Sequence, residues 1–245
     1  MMSAALSILT TYTPPGRVPP YHDGIGPDGL HRYKYRGSDP MLAANRGLRA
    51  AFAQHVPVIW LVGSAPALYV PIYPVWIVGD EPTNLQFVLA LDDAQRLVVP
   101  GTVLGPDQRR YVERTSQQRV HQPVFRAQVL AAYEERCAIC RLRYVSLLDA
   151  AHILPDGHPR GIPVVSNGLA LCKIHHAAFD ANLVGIRPDY VVEVQPAVRA
   201  AVDGPMLLHG LQELHGGTLT VPRPRQERPD PDRLEERYQL FLNTG

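Results

Sequence analysis

Short apolar runs broken by Gly, Pro, Asn and Asp fill the first hundred positions of the chain. Leu30–Tyr35, Val56–Val62, Ala67–Val70, Tyr73–Val78 and Leu85–Leu91 have the length and the β-branched and aromatic content of strands. Between the first two, Pro40–Gln54 carries Met41, Leu42, Leu48, Ala51 and Phe52 at helical spacing, which predicts an amphipathic helix. Leu97–Gly105 predicts a further strand and turn. Residues 1–20, rich in proline and small polar residues, predict an arm.

The pattern changes at Pro106–Gln122, which is polar and arginine-rich and predicts a linker or a short exposed helix. Phe125, Val129, Leu130 and Tyr133 then form a helical stripe that runs straight into Cys137. Leu147–Leu154 predicts a strand and Pro155–Pro163 a loop, and His176 falls on a helix. Further on, Tyr190–Val194 predicts a strand, Pro222–Pro231 a loop and Asp232–Leu242 a terminal helix. The whole predicts an α+β protein with a mostly β domain at 1–108, a basic linker at 109–124 and a second domain at 125–245.

Composition narrows this little. At 245 residues the chain exceeds the usual size of one core, which agrees with two domains. No window approaches about eighteen uncharged apolar residues, so no membrane segment is expected. The first ten residues lack the basic flank of a secretory signal, and the cytoplasm is the expected compartment. A net charge of +1 excludes neither nucleic acid nor other partners, because polyanion binding needs a local basic face. Two such stretches exist: Arg109, Arg110, Arg114, Arg119 and Arg126, and Arg32, Lys34 and Arg36 alternating with Tyr33 and Tyr35.

The chemistry concentrates between residues 137 and 180. Cys137-Ala-Ile-Cys140 and Cys172-Lys-Ile-His175 each offer two soft ligands from a single turn, and together they make the four that a tetrahedral structural zinc takes. The three cysteines of the chain all fall in this set, so metal thiolates explain them better than a disulfide framework. His152 sits on the predicted strand, Asn167 precedes the next element, and His176 shares a helix face with Asp180 one turn on. A strand histidine facing a helix histidine and carboxylate suits metal-assisted phosphodiester cleavage: one imidazole takes a proton from water while the other side chains hold a divalent cation.

With these residues in place, the segment from about 125 to 185 resembles the HNH nucleases, whose ββα-metal fold packs a two-stranded hairpin on a helix. The resemblance implies His152 as the general base, Asn167 as the middle letter that fixes the loop, and His176 as ligand of a catalytic divalent cation, Mg2+ or Mn2+. Asp180 stands as a further ligand. Many members of the family carry a ligand directly before the general base, where this chain has Ala151; Asp149, two residues earlier on the same strand face, stands as its substitute.

Residues 18–100 are similar in motif order to the SRA (YDG) domains, which share a PUA-like fold and flip a modified cytosine out of duplex DNA. The similarity is carried by Pro20-Tyr21-His-Asp23-Gly, Asp28-Gly-Leu-His-Arg-Tyr33-Lys-Tyr35-Arg-Gly37, Asn45-Arg-Gly-Leu-Arg-Ala-Ala51 and Pro57-Val-Ile-Trp60. It implies Tyr21 and Tyr35 as stacking residues, Asp23 as acceptor from the exocyclic amine, and Arg32, Lys34 and Arg36 on flanking phosphates. Trp60 and Trp76 are assigned to the core, and His158 to solvent. The expected activity is modification-dependent cleavage of double-stranded foreign DNA, with a homodimer where both strands are cut. Two alternatives stand beside it: a reader of a different mark or partner, and a non-catalytic zinc-organised DNA-binding protein.

Overall fold

The computed structural model describes residues 3–14, 17 and 24–244. It is an α+β chain that divides into two compact units, Met1–Val124 and Phe125–Gly245. Among the described residues no helix is long and apolar enough to cross a membrane.

The first unit contains β1 (Ser7–Thr10), β2 (Gly24–Ile25), β3 (His31–Lys34), α1 (Ala43–Gln54), β4 (Val58–Ala65), β5 (Leu68–Glu81), β6 (Gln86–Ala90) and α2 (Pro106–Ser116). The strands form one sheet in the order β1-β4-β5-β6-β3-β2, antiparallel throughout except for the parallel β1–β4 pair. The sheet curls. Tyr33 on β3 reaches β1, four places away, donating through its hydroxyl to the Leu9 carbonyl at 3.1 Å and accepting from the Leu9 N–H at 3.3 Å. Helix α1 lays Leu48 and Ala51 on a core that includes Ile8, Trp60, Ile72, Phe87 and Leu89.

Several elements depart from the sequence expectation. The arm supplies a strand, β1. The runs at 67–70 and 73–78 are one strand, β5, which passes through Pro71 and Pro74. It pairs with β4 along its first part, up to Val75, and with β6 from Trp76 onward. Both prolines thus sit where only one edge is paired, the setting in which a missing N–H is tolerated. Leu97–Gly105 is a turn and loop rather than a strand: no neighbour offers it an edge, and Leu97, Val99 and Val103 are exposed. The segment read as a linker is helical, with a π-helical turn at Gln117–His121 after α2. Val112 packs with Leu30, Val88 and Leu104, and Val120 joins the main core. Trp60 is buried, whereas Trp76 is half-buried with the Arg96 guanidinium 4.8 Å over its ring.

Helix α3 (Gln122–Ala132) leads into the second unit, followed by β7 (Leu148–His152), β8 (Gly168–Cys172), α4 (Lys173–Asp180), β9 (Val184–Ile186), β10 (Val192–Val194), α5 (Pro196–Ala200), α6 (Pro205–Gly210) and α7 (Pro231–Leu242). Strands β7 and β8 form an antiparallel hairpin, with His152 opposite Gly168 and Leu148 opposite Cys172. Gly168 is required there, because a Cβ at this position would lie 2.9 Å from the Phe125 ring and closer still to Val129. Phe125, Val129, Leu148, Leu169, Leu171 and Phe179 fill the core between α3, the hairpin and α4. Asp230 caps α7 by accepting from the N–H groups of Asp232 and Arg233.

Candidate active site and metal centre

The turn before β7 brings Cys137 and Cys140 together. The Cys137 N–H donates to Leu142 and its carbonyl accepts from Arg141, which takes a left-handed conformation (φ 62°) to close the loop. The Ala138 N–H donates to Ala170 on β8 at 2.7 Å, which docks this loop on the hairpin that ends at Cys172. His175, in the first turn of α4, completes the set. The ligand atoms of Cys137, Cys140, Cys172 and His175 all lie within 4.8 Å of one another, and no other His, Cys, Asp or Glu cluster of three or more does so among the described residues.

The donors fit zinc. His175 Nδ1 is 3.3 Å from both the Cys137 and the Cys172 sulfurs, close to the edge of about 3.6 Å that a tetrahedron with bonds of about 2.0–2.3 Å requires. Contacts from Cys140 and then Cys172 push the Cys137 thiol far below its ordinary range. Burial opposes charge on His175, but Cys137 and Cys172 outweigh it and raise the ring to about 10. Buried thiolate character of this kind calls for a cation. On its other side, His175 Nε2 donates to the Gly210 carbonyl at 2.8 Å at the end of α6, which leaves Nδ1 free for the metal.

The next residue, His176, points elsewhere. Its Nδ1 lies 3.4 Å from Asp149 on β7 and its Nε2 3.3 Å from Asp180 one turn along α4. Lys173 shares the Asp149 carboxylate at 2.6 Å. Burial pushes the Asp149 carboxyl up, yet Lys173 and His176 outweigh burial and hold it below the usual range. Ala151, where a ligand is common in HNH nucleases, is fully buried in the core. Arg126 donates to the Val145 and Leu148 carbonyls and braces the entry to β7.

His152 stacks on Phe125 with ring centroids 4.1 Å apart and planes 18° apart. Its Nε2 is 3.0 Å from Asp156 Oδ1. Burial lowers the His152 pKa and so favours the neutral ring; Asp156 and Asp180 oppose that shift, while His176 adds to it. Asn167, fully buried, accepts from the Leu154 N–H at 3.0 Å and donates to the carbonyls of Leu154 at 2.9 Å and Ile162 at 3.2 Å. It thereby ties together the two ends of the loop that follows His152. His158 is not simply solvent-facing: its Nε2 contacts Glu236 on α7 at 2.8 Å, and Arg160 pairs with the same carboxylate.

Residues 137–187 match the family of HNH endonucleases. The matched stretch, an HNH-like module, spans the zinc ligands, His152, Asn167 and His176. The chain is also similar to two solved structures. For the "Modification dependent TagI restriction endonuclease" the identity is 20%, the match covers 96% of this chain and 81% of that one, and the TM-score is 0.35. For the "Type IV phosphorothioation-dependent restriction endonuclease ScoMcrA" the figures are 17%, 70%, 52% and 0.25. Neither likeness is close enough to carry an argument. No curated protein sequence matches.

Around the HNH module, sequence reasoning missed four partners: the Phe125 stack, the Asp156 carboxylate, Lys173 at Asp149, and the Gly210 carbonyl behind His175. Only Asp156 left a signal, as a carboxylate four residues after the histidine. In the first unit the base-reading residues separate. Tyr21 and Asp23 lie outside the described residues. Tyr35 is 1% exposed, its hydroxyl bonded to Asp80 and Arg49, so no face of it is open for stacking here. Arg32 is buried and held by Asp28, at 2.8 Å, and by Glu81. Lys34 donates to the Asn84 carbonyl and to Gln86, and Arg36 is exposed. Lys34 and Arg36, with Ser7, Thr10, Tyr33 and Asn45, line a cavity of about 470 Å³ between β1, β3 and α1.

Proposed function

We propose that the chain is a metal-dependent endonuclease that nicks double-stranded DNA at its HNH module, in response to a mark read by the first unit. The observation that carries this reading is the placement, beside the zinc ligands, of His152 at the end of β7 and of His176 on α4 with a carboxylate at each ring nitrogen. His176 with one of its two flanking carboxylates, Asp149 in the place of the absent ligand at Ala151 or Asp180, would hold a divalent cation, Mg2+ or Mn2+. Such an ion supplies charge stabilisation at the phosphate and leaving oxygen. His152 takes the proton as the water O–H bond breaks. The water oxygen bonds to phosphorus, and the bridging P–O bond breaks with its electron pair on the leaving oxygen. Asn167 keeps the His152 loop closed.

In this reading the first unit is an SRA-like reader of modified DNA. Its cavity falls within the range of about 300–1,000 Å³ typical of small-ligand sites, and Lys34 and Arg36 stand at its wall. The finer assignment, a modified cytosine, loses two of its residues because Tyr35 and Arg32 are engaged inside the fold. That favours a reader built from the other cavity walls, for which a sulfur-modified backbone or a modified adenine is as suitable a mark.

The test is nicking of supercoiled plasmid with Mg2+ or Mn2+, comparing the parent with His152→Ala. Metal-dependent nicking that the variant loses is expected; a variant as active as the parent overturns the catalytic reading. Unmodified, methylated, hydroxymethylated and phosphorothioated plasmids then separate the marks, and equal cutting of all four removes the reader role. One such site cuts one strand, so double-strand cleavage calls for a homodimer, which mass measurement in solution decides.

A further inference from the structure

We infer that Asp156 is the positioning residue of the general base, holding the His152 proton on Nε2 so that Nδ1 is the atom that accepts the proton from water. The inference rests on the reading of His152 as general base. His152 Nε2 is buried, and the structure gives it no hydrogen-bond partner; the nearest acceptor is Asp156 Oδ1 at 3.0 Å. At that distance the pair is close enough to bond, but the ring N–H is not yet aligned on the oxygen. Contacts of this kind commonly align only when substrate binds.

A neutral imidazole has one N–H, and a carboxylate can only accept. With the proton on Nδ1, the bare Nε2 would sit 3.0 Å from a carboxylate oxygen in a buried place with no donor between them, which is unfavourable. With the proton on Nε2 the contact is favourable, and Nδ1 keeps the free lone pair. The carboxylate also offsets the charge that forms when Nδ1 takes its proton. His176 and Asp180, the other charged groups felt by His152, lie on α4 and act on its overall charge.

The surroundings limit other arrangements. Phe125 covers one face of the ring. Asp156 starts a loop whose ends are tied by Asn167 and whose interior is closed by the His158 N–H on the Pro155 carbonyl and the Gly161 N–H on the His158 carbonyl, both at 2.8 Å. The backbone of Asp156 is thus held beside the ring, so only rotation of its own side chain can move the carboxylate away.

The experiment uses the full, zinc-loaded chain with 15N-labelled histidine. A two-bond 1H–15N spectrum at neutral pH reports which nitrogen of His152 carries the proton, with His152→Ala assigning the signal. The Nε2–H form is expected in the parent, and this reading needs no variant. In Asp156→Asn, whose amide can donate, the signal should move toward the Nδ1–H form. The nicking kcat should then fall about tenfold or more, with KM for plasmid and zinc content within twofold of the parent. An Nδ1–H ring in the parent overturns the inference, as does an Asp156→Asn protein with parental tautomer and kcat. If His152→Ala still nicks, the general-base reading fails, and the spectrum still decides the Asp156 contact.

Discussion

Replacing Asn167 by Ala should cost the second unit about 3 kcal/mol and much of its nicking rate. The side chain is fully buried and makes three hydrogen bonds, two to Leu154 and one to Ile162. Its removal leaves the Leu154 N–H and C=O without partners in a residue that is 1% exposed. Each such group costs about 1–3 kcal/mol, so the Leu154 pair accounts for about 2–6 kcal/mol. The Ile162 carbonyl belongs to an exposed residue, can rehydrate, and adds little. Asn167→Asp is the sharper control: it can still accept from the Leu154 N–H, but its carboxylate faces two carbonyl oxygens to which it cannot donate. It should be at least as damaging as Ala. Urea unfolding of the full chain, followed by zinc release to a chromogenic chelator, measures the loss. Plasmid nicking then shows whether loosening Leu154, two residues past His152, lowers kcat while KM stays put. A loss under about 1 kcal/mol with a parental nicking rate would refute the role of Asn167 as the tie of this loop.

Three further outcomes follow from the same structure. Chelation of zinc, or Cys172→Ser, should remove the cooperative unfolding of the second unit, since structural zinc contributes about 10–16 kcal/mol in small modules; circular dichroism with metal analysis checks this, and unchanged unfolding in a zinc-free protein would exclude the staple. Arg32→Ala should cost about 3 kcal/mol because it leaves the buried Asp28 carboxylate with only the N–H groups of Leu30 and Gly101 and no counter-charge, whereas Arg36→Ala at an exposed site should change stability by no more than about 0.5 kcal/mol; denaturant titration of both separates a structural arginine from a surface one. Finally, burial and, to a smaller extent, His121 push the His31 pKa down to about 4. The folded state binds fewer protons than the unfolded one between about pH 4 and 6.5, so its stability is full above 6.5 and declines as pH falls toward 4, by up to about 3 kcal/mol. His31→Asn should flatten this slope relative to the parent, and an unaltered slope would assign the pH dependence to other groups.

The second unit was largely legible in the sequence because its chemistry is local. Cys137 with Cys140, and Cys172 with His175, declare themselves by spacing, and the β7, β8 and α4 segments carry ordinary periodicity. Apart from Asp156, four residues after His152, what escaped is non-local: Phe125 and Gly210 meet His152 and His175 from 27 and 35 residues away. The first unit was harder for a different reason. Tyr35 and Arg32 alternate with neighbours on a strand, and alternation shows that a residue faces one side without showing whether that side is wet. The two project to opposite faces and both faces are covered, Tyr35 by Asp80 and Arg49 and Arg32 by Asp28 and Glu81. Pro71 likewise fell in a gap between two predicted strands, since the continuity of β5 and its switch from one partner to another belong to the sheet and not to the run.

The adjacency of His175 and His176 makes α4 a rotary indexing device. Successive helical residues project about 100° apart, so the angle at which His176 meets Asp149 is set once His175 is pinned. His175 is pinned at both ends, by the sulfurs on one side and by the Gly210 carbonyl on the other. Phe179 holds the far end of the helix in the core, so losing either anchor would loosen its first turn and shift His176 relative to Asp149 without removing a catalytic atom. A mild defect at Gly210, far along the chain, should therefore appear as a change in divalent-cation requirement before it appears as unfolding.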